Sequence, residues 1–269
     1  PMTLVTAGDY RLHEISVSGV GLVLAIGGAW SFGDGELLDT VRSIVSEEVS
    51  MLGSSPRNRH LVIVDRNPVR GGRGFEYYGV HFGGTVLLLL DPSMDRSRLY
   101  DVPMSIVAHE FFHNWNGEAL RPVDESFMWF TEGATVFVSY QVLLRAGIIN
   151  GAQYANMEKG ILERCRENPL RGSSSLTGAG NGDLTDRDMV DLLYDGGFAV
   201  SRAIDGRIAA LTGGGSGLVD VIRRMYEESP GGTAIGLDEL NAAITAETGH
   251  DLSSFIGQLL SDPLPDVSS

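Results

Sequence analysis

The tightest constraint on this chain is the run His109-Glu110-Phe111-Phe112-His113. Two histidines four residues apart converge when the backbone between them is α-helical, because side chains at i and i+4 stack on one helix face. Both imidazoles can then reach one metal ion. Glu110 is rotated by about 100° from His109 on the same helix. Its carboxylate can take a proton from a water on that ion without ligating the ion. Apolar Val107, Ala108, Phe111 and Phe112 surround the pattern. The spacing therefore predicts an interior helix, a context that a chance match need not have.

A third ligand is expected on the next helix, over about 125–146, which carries Trp129-Phe130-Thr131-Glu132-Gly133-Ala134. A glutamate on an otherwise apolar helix is unusual unless it is paired or bound to metal. A capping or solvated carboxylate is the plainer alternative for Glu132. His109, His113 and Glu132 would supply three ligands to one Zn2+ and leave a fourth position open, the catalytic arrangement. Zinc in such a site lowers the pKa of its water to about 7. His13, His60, His81 and His250 are scattered and read as surface or structural residues. The single cysteine, Cys165, has no partner for a disulfide or a thiolate metal site. Asp183, Asp186 and Asp188 read as helix caps, since the calcium-loop pattern is absent.

Composition sets the outer limits. The 269 residues are 43% hydrophobic and carry a formal charge of −15. That suffices for a sizeable core, as one large domain or two packed lobes. The charge repels phosphate backbones and anionic lipids, so nucleic acid is excluded as a partner. No run reaches the roughly 18 apolar residues of a membrane span. The first residues do not read as a signal peptide, and cytoplasm and periplasm both remain open.

The first hundred residues read as mixed α/β. Apolar runs at Val20–Ile26, Leu61–Val64 and Thr85–Leu90 predict strands, and the spacing over 37–52 predicts a helix. A glycine- and arginine-rich loop spans 67–74. After residue 100 the pattern is helical. Asp101 is placed as a cap, with helices near 101–116, 125–146, 154–167, 186–211, 218–228 and 237–248. Gly147 stops the second, a glycine- and serine-rich loop covers 171–182, and Gly196-Gly197 threatens a break in the fourth. These patterns place a β-rich N-terminal lobe at 1–100 and a helical lobe at 101–269.

The spacing from His113 to Glu132, with Thr131-Glu132-Gly133-Ala134, resembles the gluzincin metallopeptidases. His109 through Asn116 (His-Glu-Phe-Phe-His-Asn-Trp-Asn), Arg121-Pro122 and Leu143-Leu144-Arg145-Ala146-Gly147 resemble the glycyl aminopeptidase family. So does Leu193-Tyr194-Asp195-Gly196-Gly197 with Ala203 to Ile208. The resemblance implies an α+β, thermolysin-like catalytic domain with the zinc site between a β-rich and a helical lobe. It implies hydrolysis of peptides with a small N-terminal residue, Gly or Ala. It assigns Tyr194 to the oxyanion, where the residues alone suggest a core tyrosine. It also points to Gly74-Phe75-Glu76-Tyr77 as the segment whose acid, Glu76, binds the substrate ammonium; a solvated loop carboxylate is the alternative. The stretch between His113 and Glu132 is shorter than the family's usual insertion. Without Glu76 on the ammonium the reading becomes an endopeptidase, and without turnover a zinc-stabilised peptide-binding domain.

Overall fold

A computed structural model describes residues 6–67, 77–100, 102–229, 232 and 234–261. The fold is mixed α/β. Two compact units are formed, one from Pro1–Asn114 with Ser139–Asn150, the other from Trp115–Val138 with Gly151–Ser269.

The first unit is built on a five-stranded sheet. Its strands are β1 (Tyr10–Val17), β2 (Val20–Gly27), β3 (Arg59–Arg66), β4 (Tyr77–Phe82) and β5 (Thr85–Leu90), in the order β1-β2-β3-β5-β4. The central pairs β2·β3 and β3·β5 are parallel, and the outer pairs are antiparallel. Continuous apolar runs suit strands covered on both faces. In register across the three central strands, Leu24, Val62 and Val86 form one row, and Ile26, Val64 and Leu88 the next. All six are fully buried. The opposite face carries Ala25, Ile63 and Leu87, with Val80 and Leu89 packed against them. Burying each larger side chain of this kind contributes about 1.5–3 kcal/mol. β1 and β4, both paired antiparallel, are strands that the sequence reading omits. Their burial alternates or is only partial, so they lack the apolar run that marks the central three.

Helix α1 (Asp34–Leu52) connects β2 to β3, with Leu37, Val41, Ile44, Val45 and Leu52 fully buried at helical spacing. After the one-turn α2 (Arg96–Leu99) comes α3 (Val102–Phe112), which packs on β4, β5 and α1. Eight of the eleven residues of α3 are buried. The expected cap Asp101 lies outside the described residues.

The chain after Asn114 is mainly helical, and its residues Ser139–Asn150 belong to the first unit. A single 3-10 turn (Glu125–Phe127) and a π-helical turn (Trp129–Ala134) lead into α4 (Thr135–Arg145). The expected stop Gly147 has φ 69° and donates its N–H to Leu144. Then follow α5 (Gly151–Glu167), α6 (Leu176–Gly180), α7 (Arg187–Asp191), a second π-turn (Leu192–Gly196) and α8 (Gly197–Thr212). Gly196-Gly197 therefore does not break the expected helix; the helix widens there. α9 (Leu218–Glu228) and α10 (Leu237–Thr248) have the expected bounds, and α11 (Ser253–Ser261) is an addition. Asp186 caps α7 through the Asp188 N–H, as its position suggests. Among the described residues no helix is long and apolar enough to cross a membrane.

Glu48 of α1 breaks the apolar pattern. Its side chain is fully buried, and neither carboxylate oxygen has a hydrogen-bond partner among the described residues. Burial pushes its pKa well above the usual carboxylate range. The folded state then binds a proton that the unfolded chain releases. This contribution to stability is fully present below the unfolded pKa and is lost as pH rises toward the folded one. Glu48→Met should therefore be more stable than the parent by a margin that widens from pH 4 to pH 8. The widening is about 1.4 kcal/mol for each pH unit crossed between the two pKa values. Thermal unfolding of both proteins across that range checks it; a constant difference would refute it.

Candidate metal centre

α3 delivers the two histidines as the spacing requires. The Nε2 atoms of His109 and His113 approach to 3.0 Å, and the rings meet edge to face. His109 is buried. Two imidazole nitrogens so close are well placed to share one ion at the zinc–nitrogen distance of about 2.0–2.1 Å. His109, His113 and Glu132 each offer a ligand atom, and these atoms lie within 4.8 Å of one another. Two imidazoles and a carboxylate are a donor set that suits zinc, and among the described residues they are three ligands, the number a catalytic site uses.

Glu110 lies where strand β4 passes over α3. A Cβ on Gly79 would sit 2.1 Å from Ile106 Cγ2 and 3.1 Å from Glu110 Oε1. The strand can approach the carboxylate this closely only because residue 79 has no side chain. His81, two residues on, reads from the sequence as a surface or structural residue. Its ring lies 6.2 Å from that of His113, its Nε2 is 3.3 Å from Asn114 Oδ1, and it accepts the Gly84 N–H. Its spacing from the metal motif carries no signal, because a strand brings it there. Glu76 lies outside the described residues.

Glu132 is not on a regular α-helix. It belongs to the π-turn, whose wider ring displaces carbonyls from the usual ladder. The fully buried Asn116 answers this. Its Nδ2 lies 3.0 Å from the Phe130 carbonyl, 3.2 Å from that of Thr131 and 3.1 Å from Thr135 Oγ1. The Thr135 hydroxyl also donates to the Thr131 carbonyl at 2.6 Å. The local bonds freed by the π geometry are thus replaced by side chains. Asn116 was visible in the sequence only as part of a motif; its structural work depends on a residue 14 positions away.

Tyr194 sits on the second π-turn, which packs directly on the first. The two segments meet backbone to backbone. A Cβ on Gly133 would fall 2.3 Å from Gly197 Cα, and one on Gly197 would fall 2.3 Å from the Trp129 carbonyl oxygen. Both glycines are required by this approach. π-turns are rare and frequent at functional sites; here one carries Glu132 and the other Tyr194.

Residues 103–189 match the M61 glycyl aminopeptidase family. The resemblance read from the sequence is shown over that stretch, and the glycyl aminopeptidase match contains His109, Glu110, His113 and Glu132. It ends before Tyr194 and begins after Glu76. Over 205 residues, 72% of this chain, the sequence is 24% identical to an aminopeptidase N of Caulobacter vibrioides, of which those residues cover 22%. An aminopeptidase N family protein from Idiomarina loihiensis superposes with a TM-score of 0.80 at 19% identity, covering 96% of this chain and 48% of that one. An M1 zinc metallopeptidase from Deinococcus radiodurans superposes with a TM-score of 0.64 at 14% identity, covering 97% and 54%. The chain thus spans about half or less of each relative. It shares the fold of M1 aminopeptidase domains, and its His109, His113 and Glu132 form a donor cluster that could hold a metal ion.

The glycine crossing gives a direct test. Gly133→Ala must drive the two π-turns apart, at a cost of about 1–3 kcal/mol or more for overpacking. Its melting temperature and its zinc content, measured after dialysis against a weak chelator, should both fall. A variant with parental stability and metal content would show that the crossing does not support the site.

Proposed function

We propose that the chain is the catalytic part of a zinc aminopeptidase that releases small N-terminal residues, Gly or Ala. The observation that carries this reading is the convergence of His109, His113 and Glu132 beside Glu110, inside the segment matching the glycyl aminopeptidases. We place one Zn2+ on His109, His113 and Glu132. We assign residues 1–100 to the β-rich lobe and 101–269 to the helical lobe of a thermolysin-like domain; the sheet and the helices support the two kinds of lobe, while the compact units divide instead at Asn114 and count Ser139–Asn150 with the sheet.

Zinc bound there would act as a Lewis acid on the scissile carbonyl and make its water acidic near neutral pH. Glu110 takes the proton of the attacking water and later passes it to the leaving amine. Its place against the glycine of β4 supports this role, because an extended peptide laid along that strand would bring its carbonyl near the carboxylate. β4 is the terminal strand of the sheet, as such docking requires. Tyr194 donates a hydrogen bond to the oxyanion that forms in the transition state. The packing of its π-turn on that of Glu132 supports this assignment. Glu76 pairs with the substrate ammonium and limits cleavage to the first residue.

Two outcomes test the chemistry. Glu110→Gln should keep the zinc and lower kcat by about 10²–10⁴-fold, the usual worth of a general base; substantial retained turnover would sink the mechanism. Alanyl peptides with a free amine should be cleaved, and their N-acetylated forms should not. Equal cleavage of both would make the enzyme an endopeptidase, and cleavage of neither, with zinc bound, would leave a peptide-binding domain.

A further inference from the structure

The residue after Tyr194 is a buried acid. Asp195 is 7% exposed, and its carboxylate receives two hydrogen bonds from one guanidinium. Arg164 Nε donates to Oδ2 at 2.9 Å and Nη2 to Oδ1 at 2.7 Å. Arg164 stands on α5 with its own side chain more than half exposed. The fork therefore reaches in from the surface to hold one point of the π-turn.

Core packing does not require an ion pair there. A buried carboxylate is costly to desolvate, and a pair of this kind is often no more stabilising than an apolar replacement. Burial pushes the Asp195 carboxyl up, and Arg164 opposes the rise. What a bidentate fork provides is orientation, because both of its bonds are lost if the turn rotates. A π-turn needs such fixing, since its hydrogen-bond geometry is disfavoured relative to the α-helix. The turn is already fixed at its far end, where Gly197 lies against the Trp129 carbonyl. Leu192 and Leu193 are buried at its start. Asp195 is the polar anchor between them, adjoining Tyr194.

We propose that Arg164 and Asp195 are positioning residues for Tyr194, the fork fixing the rotation of the π-turn so that the tyrosine hydroxyl meets the oxyanion. This rests on the assignment of Tyr194 to the oxyanion. A hydroxyl that acts only in the transition state leaves substrate binding almost untouched when it is misplaced. The pair's effect therefore falls on kcat rather than KM. It is also bounded by the full contribution of Tyr194, about 10²–10³-fold for one oxyanion donor.

The experiment is a double-mutant cycle on the zinc-loaded enzyme with an alanyl anilide. Arg164→Gln should lower kcat by about 10-fold, a fraction of that bound, with KM and zinc content near parental values. Arg164→Lys, which keeps the charge and loses the fork, should recover only part of the loss. In a Tyr194→Phe background Arg164→Gln should have no further effect on kcat, because the group it positions is gone. If Arg164→Gln lowers kcat equally in both backgrounds, the pair acts elsewhere and the proposal is overturned. If Tyr194→Phe lowers kcat while Arg164→Gln does not, the proposal also falls and the tyrosine assignment stands. Parental kcat in Tyr194→Phe would instead remove the tyrosine assignment, and the positioning role with it. Should Arg164→Gln fail to fold, Asp195→Asn, which keeps the shape and loses the charge, is read in the same cycle.

Discussion

The contact between Gly133 and Gly197 is the constraint on which the helical unit depends. Two helical segments touch there with no side chain between them, at distances that any Cβ would violate. Each segment opens into a π-turn at the crossing. A π-turn adds a residue to one helical turn and so re-aims the side chains on it. The close approach and the two re-aimed turns form one arrangement, because the displaced carbonyls of the first need Asn116 and Thr135 to satisfy them. Loss of either glycine would disturb backbone that already has few alternative partners.

The histidine pair depends on simpler physics. A regular helix places i and i+4 together, and the apolar surroundings of α3 keep that helix inside the protein. The sheet makes its own contribution through β4, whose Gly79 allows backbone to lie against Glu110. That glycine has an ordinary backbone conformation, so it is required for space rather than for a turn. The positions of His109, Glu110 and His113 are thus set by local helix geometry, and the surroundings of Glu110 by strand packing.

The buried charges divide in the same way. Glu48 is buried with no hydrogen-bond partner among the described residues, and burial pushes its pKa well above the usual carboxylate range. Asp195 is buried with a bidentate partner and is oriented by it. The first is a cost the fold tolerates in α1, whereas the second restrains a turn beside Tyr194.

The sequence by itself determined the convergence of His109 and His113 with Glu110 between them, because the three lie within five residues and helix geometry alone relates them. It also determined the three central strands and helices such as 218–228 and 237–248, where apolar periodicity and glycine stops are local signals. It did not reveal β1 and β4, whose exposed or half-buried residues give no continuous apolar run. It read 125–146 as a plain helix and 186–211 as a helix threatened with a break at Gly196-Gly197, since π-turns are stabilised by partners distant in the chain. Only the tertiary structure decided how Glu132 and Tyr194 are presented, that Asn116 clasps one turn, and that Arg164 reaches Asp195 across 31 residues. The physical reason is that helix and strand periodicity are short-range, whereas backbone crossings and buried hydrogen bonds are settled between elements that sequence spacing does not relate.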